Sequence, residues 1–237
     1  MANHALLDNI THKDLRIITD KSSRYTDATI CAGVFPIELR QVQSEYPIIF
    51  RQRAESEHYE PVALFGLSKD ENLFLSEAGW QAGYVPLSVE REPFLIGLQA
   101  AADGTEEAVM HVDMDSPRIS ESEGQAVFLE HGGSSPYLEH INSVLFSIHE
   151  GHQANTAFSE ALMKYSLLEP FSVEITLNDK SRLALSGFQT VSEEGLKNLG
   201  EAELFDLHQA GYLENIYMAL ASMTNFRKLI AMKNALI

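Results

Sequence analysis

The sequence predicts an α+β protein, with an antiparallel meander sheet in the first half and helices plus one β-hairpin in the second half. Short apolar runs between polar turns at 48–50, 62–67 and 73–75 are too short for buried helices and are typical of strands. Their short links favour antiparallel pairing over crossover connections. After residue 134 apolar residues recur at helical spacing, and strict alternation at 171–177 predicts the hairpin.

The predicted domain organisation is an N-terminal extension followed by one domain. Residues 1–33 are polar with scattered apolar positions, so we expect mostly loop there. Residues 34–237 form the single α+β domain, which is strand-rich at 34–130 and helix-rich at 134–237. We expect the hairpin strands to join the sheet of the first half.

In the strand-rich part, Pro36 and Pro86 mark the starts of two short helices, because the fixed φ of proline suits a first helical turn. The predicted elements are a helix at 37–45, strands at 48–50, 62–67 and 73–75, a helix at 87–90, strands at 94–100 and 108–112 joined by a turn at Asp103-Gly104, and a strand at 126–129 after an exposed acidic loop.

In the helix-rich part, Ser135 is a suitable N-cap and Pro136 a suitable first helical residue. The apolar pattern continues past Gly151 to Tyr165, which predicts either two helices or one helix bent near Gly151. The elements expected afterwards are a hairpin at 171–189, a short helix after Ser192, a second one that ends near Gly211, and two final helices with apolar faces around Ile216 and Leu229.

The amino-acid composition of the chain limits the classes of partner that it can bind. The chain has 17 basic and 34 acidic residues and a net charge of −17, so we expect neither nucleic acid nor an anionic membrane surface as a partner. No stretch of about 18 apolar residues occurs, which predicts no membrane span. The N-terminus has no signal-peptide pattern, which predicts a cytoplasmic protein and leaves a leaderless route to the cell surface open.

The predicted ligand site is an aromatic and arginine cluster. An indole, a phenol and a planar guanidinium together suit a ligand carboxylate, a peptide or an aromatic ring. The predicted site residues are Trp80, Tyr84 and Arg91, with Glu45 and Asn72 as further polar contacts. The alternative is that Trp80 and Tyr84 anchor a short helix to the sheet while Arg91 pairs with Glu45.

Other candidate sites are weaker. His149 and His152 are three residues apart and could share a metal ion, but solvated surface histidines explain them more simply. Asp113 and Asp115 resemble the start of a calcium loop whose later ligands are out of register. The single cysteine, Cys31, excludes an intrachain disulfide and fits a small apolar filler. No catalytic motif is present, so we predict no catalytic residue, no metal and no cofactor.

The order and spacing of several segments resemble the SapC family of bacterial proteins over roughly residues 12 to 230. The segments are Glu45-Tyr46-Pro47-Ile48-Ile49-Phe50, Ala63-Leu64-Phe65-Gly66-Leu67, Asn72-Leu73-Phe74, Trp80 with Tyr84-Val85-Pro86, Arg91-Glu92-Pro93-Phe94, Asp115-Ser116-Pro117, Ser186-Gly187-Phe188-Gln189 and Leu207-His208-Gln209-Ala210-Gly211-Tyr212-Leu213. The resemblance implies a protein type named after a component linked to a paracrystalline surface layer, and it implies no catalytic residues.

Three functions follow as hypotheses. The leading one is a non-enzymatic binding or interaction protein of the SapC type that recognises a peptide, a small acid or a partner protein through the aromatic and arginine cluster. The second is an uncharacterised enzyme, such as a metal-dependent one that uses His149 and His152. The third is a structural subunit of a surface assembly.

Overall fold

The computed structural model describes residues 3–100 and 106–237, with only the backbone described for Leu98, Ala100, Glu106 and Glu107. The chain divides into two compact units. The first unit comprises Met1–Asp27, Leu75–Trp80 and Leu87–His149, and the second unit comprises Ala28–Phe74, Gln81–Pro86 and Glu150–Ile237.

Among the described residues, most strands lie in the first half of the chain and most helical residues lie in the second half. The strands are β1 His4–Leu6, β2 Arg16–Ile17, β3 Cys31–Gly33, β4 Ile48–Gln52, β5 Tyr59–Leu64, β6 Leu75–Ser76, β7 Gly79–Trp80, β8 Phe94–Ala100, β9 Glu106–Asp113, β10 Ile119–Ser120, β11 Gln125–Ala126, β12 Leu168–Thr176 and β13 Arg182–Val191. The α-helices are α1 Leu39–Val42, α2 Leu87–Glu90, α3 Pro136–Lys164, α4 Glu193–Lys197, α5 Glu201–Gln209, α6 Tyr212–Ser222 and α7 Phe226–Asn234, with 3-10 turns at Pro36–Glu38 and Met223–Asn225.

The second unit is built on a five-stranded antiparallel sheet in the order β12-β13-β4-β5-β3. Gln189 of β13 lies opposite Phe50 of β4, so the hairpin of the second half joins strands of the first half, as predicted. Ile48, Ile49 and Phe50 are completely buried. Because successive strand residues point to opposite faces, both faces of β4 are covered here. The predicted α+β class with antiparallel sheets is confirmed.

Two serines on helices accept hydrogen bonds from backbone N–H groups of this sheet. The Ser222 hydroxyl of α6 accepts from Ile48 N at 2.7 Å, and the Ser159 hydroxyl of α3 accepts from Tyr59 N at 2.7 Å. Ser222 and Ser159 are buried, and a buried N–H without an acceptor would be costly. The two serines therefore attach α6 and α3 to the sheet by polar contacts as well as by packing.

The first unit contains two three-stranded antiparallel sheets, in the orders β1-β9-β8 and β10-β2-β11, and the ribbon β6-β7. Its core is apolar and draws on all parts of this unit except the ribbon. The fully buried members include Ile17, Phe94, Val112, Val127 and Ile141. The strands predicted at 94–100 and 108–112 are confirmed as a hairpin, whereas the predicted turn at Asp103-Gly104 lies outside the described residues.

Three predicted details differ from the structure. The strand expected at 73–75 is replaced by the ribbon of Leu75–Ser76 with Gly79–Trp80, because the Asn72 side chain accepts from Phe74 N at 3.0 Å and the chain turns at residues 73–74. The strand expected at 126–129 is Gln125–Ala126, and it pairs with β2. Residues 1–33 are mostly irregular as predicted, but they also contribute the strands β1, β2 and β3, which are too short for a periodic signal.

The helical pattern after Ser135 forms one helix, α3, and not two. Leu138 N donates to the Ser135 hydroxyl at 3.2 Å, which confirms the predicted N-cap. A Cβ atom on Gly151 would lie 2.5 Å from Phe35 Cδ1 and 2.9 Å from Phe35 Cβ. Glycine at this position therefore admits the Phe35 ring against the helix and does not end it. Within residues 3–100 and 106–237, no helix has the length and apolar character needed to cross a bilayer.

Replacing the glycine under Phe35 should destabilise the protein. For Gly151→Ala, overpacking costs about 1–3 kcal/mol, and the better helix propensity of alanine recovers about 1 kcal/mol. We expect a net loss of up to about 2 kcal/mol in the free energy of unfolding, measured by urea denaturation. In a Phe35→Ala background the loss should be smaller, because the ring contacts at 2.5 and 2.6 Å are gone while Cβ of residue 35 remains 2.9 Å away. An equal loss in both backgrounds would exclude Phe35 as the cause.

Removing the α3 cap should also be measurable. Ser135→Ala loses the bond from Leu138 N and the bond that the Ser135 hydroxyl donates to Ala126 O at 2.6 Å. We expect a loss of about 1–2 kcal/mol in the free energy of unfolding. Ser143→Ala is the control, because its exposed hydroxyl bonds only to Glu139 O in the same helix. Similar losses for both variants would contradict the capping role.

Candidate functional site

The candidate site is a cleft of about 460 Å³ in the first unit, called the Arg91 cleft below. Its lining residues are His4, Tyr25, Asp27, Arg91, Glu92, Pro93, Leu95, Asp113, Asp115, Ser116 and Pro117. They come from three parts of the chain that are distant in sequence. The cleft thus depends on how the first unit folds and not on one local motif.

Strand pairing brings two of these parts together. His4 of β1 lies opposite Asp113 of β9, and Phe94 of β8 lies opposite Val112. Asp113 N donates to Pro93 O at 3.1 Å, which holds the end of β9 against the segment before β8. After β9 the chain turns at once, because the Asp113 carboxylate accepts from Asp115 N at 3.1 Å. The turn places Asp115, Ser116 and Pro117 at the cleft.

Arg91 follows helix α2, and its side chain is half-buried. Its backbone N donates to Leu87 O at 3.1 Å, which continues the helical turn. Its Nη1 donates to Phe94 O at 2.6 Å, so the guanidinium is held over the link between α2 and β8. Arg91 therefore presents a positioned positive charge on one wall of the cleft.

Arg118 lies next to this wall and is only 2% exposed. Its Nε donates to Tyr25 O at 3.0 Å, its Nη1 to Glu92 O at 3.3 Å, and its Nη2 to the Thr26 hydroxyl at 2.6 Å. One buried side chain thus bonds to two of the parts that line the cleft.

Glu92 is the lining residue with a perturbed ionisation. Burial raises the pKa of its carboxyl, the positive charges of Arg118, Arg91 and Lys21 oppose this rise, and the Asp27 carboxylate adds to it. With Asp27, Asp113 and Asp115, the lining holds four carboxyl groups against the guanidinium of Arg91 and the imidazole of His4. The ionised cleft is therefore net negative despite the arginine.

The predicted site residues fall in both units. Trp80 is half-buried in β7 and lies opposite Leu75 of β6 in the first unit. Arg91 lines the cleft, as described. In the second unit, Glu45 forms an ion pair with Lys228 at 2.6 Å, and the Asn72 side chain accepts from Phe74 N at 3.0 Å. The role of these residues in ligand binding stays a prediction.

Tyr84, also in the second unit, belongs to a buried polar network. Its hydroxyl donates to Glu38 Oε2 at 2.8 Å, and Glu38 Oε1 accepts from Phe35 N at 3.1 Å. The Tyr46 hydroxyl donates to the carbonyl oxygen of Tyr84. Glu38 is 3% exposed, so its carboxylate needs these donors. The contacts of Tyr84 described here stabilise the second unit.

Of the weaker candidates, Asp113 and Asp115 line the Arg91 cleft, whereas the two histidines and Cys31 do not. His149 lines a shallow apolar groove with Leu145 and Phe146, while the ring of His152 packs edge-on against Phe35 at 5.1 Å. Across the described chain, no group of three or more His, Cys, Asp or Glu side chains could hold a metal ion. Burial raises the pKa of the Cys31 thiol, which agrees with the predicted filler role.

Sequence reasoning missed several residues of the cleft. Glu92 stands inside the segment Arg91-Glu92-Pro93-Phe94, and Asp113 and Asp115 were considered only as calcium ligands. The available signal was that both segments resemble the family pattern. Tyr25, Asp27 and Arg118 carry no signal, because nothing local in the sequence indicates which distant backbone they contact.

The raised pKa of Glu92 predicts a pH effect on stability. The folded state binds more protons than the unfolded state between the ordinary pKa of 4.5 and the raised value. The free energy of unfolding therefore falls as pH rises through this window. Glu92→Gln removes the cost of ionisation, so it should raise the melting temperature at pH 7 and lose this advantage below pH of about 4.

The matched control for this prediction is Glu123→Gln, since Glu123 is an exposed glutamate of the same unit. It should keep the wild-type pH profile of thermal unfolding. A Glu92→Gln protein that gains no stability relative to wild type between low and neutral pH would contradict the assignment.

The family comparison covers nearly the whole chain. The SapC family model matches residues 7–229. No curated protein sequence and no solved structure matches the chain. The match includes every described residue of the Arg91 cleft except His4. Because it spans far more than half of the sequence, this chain belongs to the SapC family.

Proposed function

We propose that this protein is a non-enzymatic binding protein whose Arg91 cleft receives a peptide segment of a partner protein. The observation that carries the proposal is the meeting of two segments at one cavity. Arg91-Glu92-Pro93-Phe94 and Asp115-Ser116-Pro117, both of which resemble the family pattern, contribute six of the residues that line it. A structural role alone does not require both segments to border the same open space.

The dimensions of the cleft suit a ligand of this kind. A volume of about 460 Å³ lies within the range of small-ligand pockets, roughly 300–1,000 Å³. It has room for one or two side chains of an extended segment. The prolines Pro93 and Pro117 and the aliphatic Leu95 offer apolar contact beside the charged groups. Such a mixture favours a peptide over a purely hydrophobic molecule.

The charge of the cleft favours a basic side chain as the bound group. Asp27, Glu92, Asp113 and Asp115 outnumber Arg91 and His4, so a lysine or arginine of the partner gains charge-assisted hydrogen bonds. Arg91 then binds an acidic side chain or a carboxylate elsewhere on the same peptide segment of the partner. Of the three ligand classes expected from the sequence, a small acid is the least favoured by this lining.

The net charge of the whole chain supports the same kind of partner. A charge of −17 attracts basic surfaces at long range and repels nucleic acid. A partner protein with a basic segment therefore fits both the local and the global electrostatics. A cytoplasmic location is part of this proposal, as is the SapC-type role of interaction without catalysis.

The test is selection from a library of random heptapeptides displayed on phage, followed by fluorescence polarisation with the enriched peptides. We expect enriched peptides with lysine or arginine that bind the wild-type protein and bind Asp27→Asn/Asp115→Asn at least about tenfold more weakly, a difference of about 1.4 kcal/mol. The control is Glu169→Gln/Glu174→Gln, which makes the same charge change at exposed positions of β12 and should keep the affinity.

Two outcomes would overturn the proposal. One is the absence of any enriched peptide that binds the purified protein. The other is binding that falls equally in the cleft variant and in the β12 control, since this would reflect net charge and not the cleft.

A further inference from the structure

Arg118 is the largest side chain among the fully buried ones of the described chain, and it is charged. Transfer of a guanidinium out of water is expensive unless its N–H groups find acceptors. Here all three nitrogens donate to uncharged oxygens, at 3.0, 3.3 and 2.6 Å. A buried guanidinium held in this way beside an open cleft points to a role in the structure of that cleft.

The acceptors belong to two different walls of the Arg91 cleft. Tyr25 O and the Thr26 hydroxyl stand immediately before Asp27, and Glu92 O stands between Arg91 and Pro93. Arg118 itself directly follows Pro117, the last lining residue of the third wall. The guanidinium thus joins all three walls while it stays outside the lining.

The planar guanidinium of arginine is suited to bonding oxygens of separate segments. It carries five N–H donors in fixed directions, whereas a lysine ammonium is a point charge on a flexible stem. Two backbone oxygens and one hydroxyl oxygen from two separate segments are held at fixed positions by a group with divergent, rigid donors. Lysine at position 118 would keep the charge but would not reproduce the three bonds.

We propose that Arg118 is the positioning residue of the Arg91 cleft, which it holds in a binding-competent shape by joining the 25–27, 91–93 and 115–117 walls. This inference rests on the proposed function, because the shape matters only if the cleft binds a ligand. Arg118 acts through Asp27 and Glu92, whose carboxyl groups it places opposite the bound cation. A cleft that is already in shape loses less conformational entropy on binding.

Arg118 has a second, electrostatic effect that can be measured separately. Its charge lowers the pKa of the Glu92 carboxyl, against the rise caused by burial. The other charged groups that act on Glu92 are Arg91 and Lys21, which also lower its pKa, and Asp27, which raises it. A basic ligand requires ionised Glu92, so affinity should fall as the pH drops through this pKa. Loss of the Arg118 charge should move that midpoint to higher pH.

The experiment compares Arg118→Lys and Arg118→Gln with wild type, using the tightest-binding heptapeptide from the library as the probe. The dissociation constant is measured from pH 4.5 to 8. We expect both variants to bind at least about tenfold more weakly at pH 7. Arg118→Lys should keep the pH midpoint of wild type, whereas Arg118→Gln should shift it upward. A role in stability alone does not predict this difference between the two variants.

Two further variants keep the test decisive if the Arg118 variants fail to fold. Thr26→Val removes one acceptor at nearly unchanged volume, and it should weaken binding while the protein stays folded by circular dichroism. Arg16→Lys is the matched control, because Arg16 also donates to a backbone oxygen in the first unit, Gly124 O at 3.2 Å, but does not line the cleft. It should bind the peptide as wild type does.

The outcomes separate this inference from the proposed function. Folded Arg118→Lys or Thr26→Val with wild-type affinity would overturn the positioning role and leave the binding function intact. If no enriched peptide depends on Asp27 and Asp115 for binding, the proposed function fails, and the role of Arg118 in it fails as well.

Discussion

Most polar groups that folding removes from water find a hydrogen-bond partner inside the protein, and this constraint shapes both units. In the first unit it is most severe at Arg118, whose guanidinium reaches three oxygens on two separate segments. In the second unit Glu38 accepts from Tyr84 and from Phe35 N, and Ser222 accepts from Ile48 N. These hydrogen bonds fix the relative positions of segments, which apolar packing alone would fix less well.

In the first unit, the need of buried polar groups for hydrogen-bond partners also shapes the cleft. The bonds of Arg118 take the backbone near Tyr25 and Glu92 out of competition for a ligand, while the acidic side chains beside them stay accessible. The atoms that bond to Arg118 and the side chains that line the cleft therefore belong to the same short segments. This arrangement explains how a cleft can be both acidic and adjacent to a buried arginine: the positive charge lowers the cost of keeping Glu92 ionised.

The predictions from sequence were most accurate where one stretch of chain carries the whole signal. The period-two pattern at 171–177 and the cap at Ser135 led to the correct hairpin and the correct start of α3, while the helical spacing left open whether one helix or two follow. The two-residue strands β2, β6, β7, β10 and β11 were missed or misplaced, because two residues define no period. Gly151 was interpreted as a weak point of the helix, since its contact with Phe35 cannot be seen locally.

The sequence by itself determined the α+β class, the antiparallel pairing and the family. Local periodicity, capping residues and turn residues act over a few positions, so they can be interpreted along the chain. Only the tertiary structure decided which residues line the cleft. Arg118 bonds to Tyr25 O across 93 residues of sequence and to Thr26 across 92, and Glu45 forms an ion pair with Lys228. Contacts at such separations arise from packing of the whole unit, and no local pattern encodes them.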